Sequence, residues 1–296
     1  MRKMFLATCV AMLALLSCSQ NENMSCNNVT EVEVAATTAS ATTRTHINES
    51  YQTVWDANDC IATVVTGQRG TRLVRFDLKS QPNSSRGVFG GFILEGETLN
   101  GYAIYPYADD LSLEGNRLTL SLPASCEYDA QPAAPMLAKS GYGSGSFSFK
   151  HLCGILKFTI RNVPPTAQTF TLTTSSAING LCEVTDITSD APILVCTSSD
   201  AASHSISVNL PQTDTDTDFT FYIPVPPATY TSMSISLTDA QGTELMSSSS
   251  TATNVVGRSM LTTMPTMIYT EVPSDIEEDN VNGGNEGYTP EEGTWD

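Results

Sequence analysis

Residues 28–45 read NVTEVEVAATTASATTRT, and the first half of this stretch decides the fold class. Val32 and Val34 alternate with Glu31 and Glu33, the period of two expected of a strand with one face buried. The apolar face is thin. Its other members are Thr30 and Ala36, so the strand gains little from burial, at roughly 1.5–3 kcal/mol per fully buried valine. After it come small and β-branched polar residues around Arg44, with no turn or helix signal to shelter that arginine.

The same period recurs down the chain. Strands are expected over 51–65, with Trp55, Ile61, Val64 and Val65 as anchors and a tight turn at Asp56-Ala57-Asn58-Asp59, then over 71–78, 87–94 and 102–107. Leu118, Leu120 and Leu122 give the cleanest alternation, ending at Pro123. Gly141, Gly143 and Gly145 lie in a Ser/Gly-rich run that reads as a hinge or domain junction, since a strand pattern and not a helix follows it. Leu156, Phe158 and Ile160 then alternate until Pro164-Pro165. Further strands are expected over 170–174, 193–196, 206–210, 219–225, 233–237, 255–261 and 266–272. Short strands at this spacing, joined by Gly, Asn and Asp turns, predict antiparallel sandwiches. A length of 296 residues with 40% hydrophobic content suffices for two domains.

The first 18 residues read as an export signal. Arg2 and Lys3 precede an apolar run over 4–16 that is far shorter than the roughly 20 residues needed to span a bilayer. The run ends in Leu15-Leu16-Ser17-Cys18, which resembles a bacterial lipobox, a pattern in which the cysteine takes a diacylglycerol and becomes the new N-terminus. Each buried methylene of such a chain contributes ~0.8 kcal/mol to membrane attachment. The polar stretch 19–28 suits a tether.

With Cys9 in the signal and Cys18 acylated, Cys26, Cys60, Cys126, Cys153, Cys182 and Cys196 remain. An exported chain permits disulfides, and Cys182 with Cys196 is the pair to test first, though sequence cannot choose among the pairings. No Cys-x-x-Cys occurs and His46, His151 and His204 are isolated, so neither a zinc site nor any cofactor site has support. Asp214, Asp216 and Asp218 match the start of a calcium loop, but Phe219 and Val225 stand where its glycine and glutamate belong. A formal net charge of -18 with 14 scattered Lys and Arg excludes nucleic acid as a partner. Beyond residue 272 the chain is acidic and rich in Gly, Asn and Pro, the composition of a disordered tail. A hydrolase would need a convergent acid pair or a Ser-His-Asp set, and neither is legible, so the chain reads as non-enzymatic.

Several motifs fall in one order and resemble the fimbrillin-like lipoproteins of anaerobic gut and oral bacteria. They are the lipobox, the Thr43-Arg44-Thr45 step, the block from Trp55 to Ile61, Tyr102-Ala103-Ile104-Tyr105-Pro106-Tyr107, and Leu122-Pro123 with Gln131 and Met136. Phe147, Phe149 and His151 with Leu156 and Phe158, and then Phe221-Tyr222-Ile223-Pro224 through Tyr230 to Gly242, complete the set. Asn58 stands where the family carries glycine.

The resemblance implies an all-β chain of two tandem transthyretin-like antiparallel β-sandwich domains, over 29–145 and 146–272, with 273–296 as the acidic tail. It implies a pilus subunit or pilus-associated protein, exported as an outer-membrane lipoprotein anchored through Cys18 and then displayed on the cell surface. An arginine-specific protease would cut between Arg44 and Thr45 and free the strand 29–36, anchored by Val32 and Val34, so that a strand from another fimbrial subunit takes its place. Arg69, Arg72 and Arg75 are alternative cut sites in or beside expected strands. The chain's own donor strand is open, with 260–272 as one candidate. A second reading is a stand-alone adhesin that stays anchored and holds a carbohydrate or host protein, with Tyr105, Tyr107, Tyr142 and Tyr230 as stacking platforms.

Overall fold

The computed structural model describes residues 29–38, 46–47, 53–129 and 133–270. Cys18, the tether, Cys26, Arg44, Thr45 and the acidic tail lie outside the described residues. The described chain is all-β, with one turn of 3-10 helix at Ala201–His204.

In the first half the hydrogen-bonded strand path closes on itself. It runs from Val29–Thr38 to Ser146–His151, Met136–Lys139, Thr98–Tyr105, Cys60–Gly67, Gly70–Leu78 and Arg86–Leu94, and back to Val29–Thr38. Inside the ring sit Trp55, Ile61, Val65, Phe76, Phe89, Phe147 and Phe149, all buried. Trp55 is the hub, meeting Phe89 at 4.9 Å, Tyr105 at 5.5 Å and Phe149 at 5.5 Å, each edge to face. The Trp55 block folds as expected: Asp59 closes its turn through the Asp56 amide at 2.7 Å and accepts the Tyr105 hydroxyl at 2.8 Å.

The Cys60–Gly67 strand is buried on both faces, which is why CIATVVTG reads as an apolar run without alternation. Its outer residues Ala62 and Val64, with Ile104 and Leu137, pack against Leu118, Leu120 and Leu122. Those leucines alternate as expected, but their partners are distant in sequence. Arg117–Leu122 pairs with Gly180–Val184, which pairs with Leu194–Cys196, and the Cys182–Cys196 disulfide joins the last two strands where they stand opposite one another. This small sheet lies over the outside of the barrel.

In the second half, two sheets share one core. Ser125–Glu127, Ser205–Asn209, Ala167–Thr174, Met233–Asp239 and Glu244–Ser250 form one sheet in that order. Thr217–Val225, Gly154–Val163 and Leu261–Thr263 form the other, with Met267–Ile268 also on Gly154–Val163. Phe158, Phe170, Leu172, Phe221 and Leu237 fill the space between them.

The GYGSGS run does not join separate sheets. It connects Met136–Lys139 to Ser146–His151, two strands that pair antiparallel within the barrel. Asp218, expected on a solvated hairpin approach, opens the Thr217–Val225 strand and accepts the Asn162 amide at 3.0 Å. Asn162 sits at a bulge with φ 56°, a conformation open to asparagine at small cost.

Candidate functional site

The strand Val29–Thr38 is one stave of the closed ring and is held unequally on its two sides. Along one side it pairs antiparallel with Arg86–Leu94 over nearly its whole length, from Val29 opposite Leu94 to Thr37 opposite Arg86. Along the other side it pairs parallel with Ser146–His151, but only from Ala35 opposite Ser146 to Thr38 opposite Phe149. Ala35 also donates its amide to the Gly145 carbonyl at 2.7 Å, where the GYGSGS loop ends. Residues 29–34 are therefore bonded on one edge among the described residues, and residues 35–38 on both.

Its side chains give it little grip. Val34 and Ala36 are each 1% exposed and Thr38 is 8% exposed, while Val32 is half-buried against the same core. Thr30, expected inward, is exposed, and the buried face runs two residues past the expected end of the strand. The residues around it are far larger. Phe89 stands opposite Val34, Phe147 beside Ala36 and Phe149 beside Thr38. Small residues on the strand thus cover an aromatic floor.

Gly91 of Arg86–Leu94 is required by this packing. A Cβ on Gly91, opposite Val32, would stand 2.5 Å from the Phe76 ring and 2.7 Å from the Arg75 carbonyl oxygen. On the outer face Glu31 and Glu33 are exposed beside Phe92, which is 57% exposed.

Beyond Thr38 the next described residues are His46 and Ile47, which pair with Val54 and Thr53. The expected cleavage site falls between these points, outside the described residues. Two of the three alternative arginines are engaged in strands. Arg72 holds Glu97 through two contacts of 2.7 Å, and Arg75 holds Asp77 at 2.8 Å with its guanidinium over the Tyr107 ring. Arg69 is exposed in the turn before Gly70–Leu78.

The stacking platforms do not come together. Tyr105 and Tyr230 are buried, the latter donating its hydroxyl to the Pro226 carbonyl at 2.7 Å, so neither presents a ring to solvent. Tyr107 is half-buried under Arg75, and only Tyr142, at the GYGSGS loop, is well exposed.

Cys60, Cys126 and Cys153 carry free thiols; burial raises all three pKa values, that of Cys126 to about 11, so none is a ready nucleophile. Among the described residues no group of His, Cys, Asp and Glu has the arrangement of a metal site.

Sequence reasoning missed two parts of this neighbourhood. The parallel contact with Ser146–His151 joins residues more than a hundred positions apart, and nothing local encodes it. Arg258 was also missed: its guanidinium donates to the His151 carbonyl at 2.7 Å and the Pro192 carbonyl at 3.2 Å. It ties the end of the barrel strand beside Val29–Thr38 to the disulfide-bearing sheet.

No protein-family model matches the chain, and no curated protein matches it. Among solved structures it is similar to a candidate cell adhesion protein of Bacteroides ovatus, at 12% identity and TM-score 0.46, covering 77% of this chain and 89% of that one. It is similar to the tip fimbrial protein Mfa3 of Porphyromonas gingivalis with C-terminal truncation, at 11% identity and TM-score 0.35, covering 75% and 82%. The fimbrial anchor protein Mfa2 of Porphyromonas gingivalis is similar at 12% identity and TM-score 0.33, covering 73% and 81%.

Proposed function

We propose that this chain is a structural and adhesive subunit of the bacterial surface, made as a lipoprotein acylated at Cys18 and held at the outer membrane until it is processed. Its two β units stand for the tandem transthyretin-like sandwiches of the fimbrillins. Cleavage between Arg44 and Thr45 frees the first strand, and an extended strand from another subunit replaces it in the barrel. No catalytic step is assigned to the chain.

The observation that carries this reading is the mismatch at the closing strand. A ring with an aromatic interior is sealed by a segment whose fully buried side chains are only Val34, Ala36 and Thr38. While the strand is covalently joined, main-chain hydrogen bonds worth ~0.5–1.5 kcal/mol each suffice to hold it. Once cut, it competes with any strand that offers the same bonds and a better fit, and an opened sheet edge is a template for strand addition.

The test is digestion of the purified chain with an arginine-specific protease. Expected are a new N-terminus at Thr45 and, with time, a ladder of detergent-resistant oligomers. A chain left at full length, or cut at Arg44 with no oligomers under any assembly condition, would sink the reading. In the second case retention at the membrane with residues 19–44 intact in cells would favour the anchored adhesin.

A further inference from the structure

Trp55 is fully buried, and its indole N–H has no hydrogen-bond partner among the described residues. Phe89, Tyr105 and Phe149 meet the ring edge to face, and the Tyr105 hydroxyl is engaged with Asp59. Leaving a buried donor unmet costs more than a made bond returns, so few such groups persist in folded proteins.

The indole edge lies close beneath the strand Val29–Thr38. Ala36 stands opposite Gly87. Gly87 has no side chain, and the place a Cβ would take is 3.0 Å from Trp55 Cδ1, the atom bonded to the indole nitrogen. Opposed Cβ positions in an antiparallel pair are about 4.5–5.5 Å apart, so a side chain one atom longer at position 36 extends toward that nitrogen.

The neighbouring inward positions are differently placed. Val34 stands opposite Phe89, a full aromatic side chain. The Thr38 hydroxyl donates to the Ser85 carbonyl at 3.5 Å. Ala36, between them, offers only a methyl group to the buried donor.

We infer that Trp55 is a specificity-determining residue of the acceptor groove. The incoming strand it selects carries serine or threonine at the register position of Ala36, where the hydroxyl oxygen accepts the indole N–H. This rests on the strand-exchange reading above and names what the incoming strand must offer. The resident strand leaves the donor unmet; a hydroxyl-bearing strand gains a bond that the resident strand lacks. Exchange then has a direction that apolar fit alone does not supply.

The experiment has two arms, both on the full chain. In the first, the chain is uncut and the proton–nitrogen resonance of the Trp55 indole is followed; Trp295 is the one other tryptophan, and Trp295→Phe assigns the pair. Ala36→Ser should move the Trp55 indole proton downfield and slow its exchange with solvent, and Ala36→Val should not move it downfield. In the second, the unsubstituted chain is cut with an arginine-specific protease and offered synthetic peptides of residues 29–38, unsubstituted or carrying Ala36→Ser or Ala36→Val. Entry is read as amide protection at residues 86–94. The Ala36→Ser peptide should bind at least tenfold more tightly than the other two.

Three outcomes overturn the proposal. An indole proton unmoved by Ala36→Ser would mean that the proton already has a partner. Equal binding of the three peptides, or an equal gain from Ala36→Val, would mean that the hydrogen bond does not set the choice. Entry of no peptide, even with a shifted indole proton, would sink strand exchange itself and with it the selected partner. The peptide arm decides the matter even if the Ala36→Ser chain fails to fold.

Discussion

Replacing Val34 by alanine should loosen the seal without touching the rest of the barrel. Val34 is 1% exposed and faces Phe89 across the sheet. The substitution removes two carbons, worth ~0.8 kcal/mol each in transfer from water. It also leaves space beside rings pinned by Trp55, whose contacts limit collapse, and such residual volume adds to the cost. The sum is about 2–3 kcal/mol. In the uncut chain this appears as lost stability, roughly 2–4 °C of melting temperature per kcal/mol for a chain of this size. After cutting at Arg44 the strand is held by contacts alone, and the same energy becomes a population, about 30- to 150-fold more of the strand-free form at tenfold per 1.4 kcal/mol. The assay is arginine-specific digestion followed by gel filtration, with the released segment quantified by mass spectrometry. Val29→Ala is the control, because Val29 lies on the same strand but is 58% exposed, and its change should stay within about 0.5 kcal/mol. Equal release from the two variants would refute the idea that Val34 holds the strand in place.

Three further outcomes follow from the same geometry. Glu33 and Gly90 stand opposite one another, and a Cβ on Gly90 meets only the flexible Lys79 chain, so a Glu33→Cys/Gly90→Cys disulfide should form and, while oxidised, block oligomer growth after digestion; the ladder should return with reductant. Reducing Cys182–Cys196, 14 residues apart, should cost about 3 kcal/mol in denaturant titrations through the restored freedom of the unfolded loop. Burial raises the Asp59 pKa, and the hydrogen bonds from the Asp56 amide and Tyr105 only partly oppose it. A carboxyl whose folded pKa is raised contributes stability that is full below its unfolded pKa and is lost as pH rises through the folded value, so this contribution should fade on going from pH 3 to neutrality, and Asp59→Asn should abolish that component of the pH profile measured by thermal melts.

The parts of the fold legible in the sequence are those in which one strand face is buried. Leu118, Leu120 and Leu122 are buried as their alternation required, as are Leu156, Phe158 and Ile160. Cys182 and Cys196, the pair to test first among pairings that the sequence left open, form a disulfide. Glu244–Ser250 escaped notice because four consecutive serines carry no apolar alternation, and its place in the sheet is set by Met233–Asp239 beside it. Gly180–Val184 was missed for a related reason: Leu181 faces solvent while Cys182 and Val184 face inward, against leucines some sixty residues earlier.

At the candidate site the sequence identified the thinness of the apolar face, and Val32 and Val34 are inward as expected. It named Ala36 on that face but not Thr38, because small residues carry little burial signal until large partners stand over them. Phe147 and Phe149 are those partners, and parallel pairing between distant segments brings them there.

The most direct test is a cross-link from inside the acceptor edge. Val88 lies on the outer face of Arg86–Leu94, opposite Ala35, and a photoreactive residue placed there reports which strand lies beside it. In the uncut chain it should capture residues 29–38 of its own molecule. In assembled material recovered after processing it should capture a peptide from a different subunit, with residues 29–38 gone. Capture of residues 29–38 in both states would contradict strand exchange as the way this chain assembles.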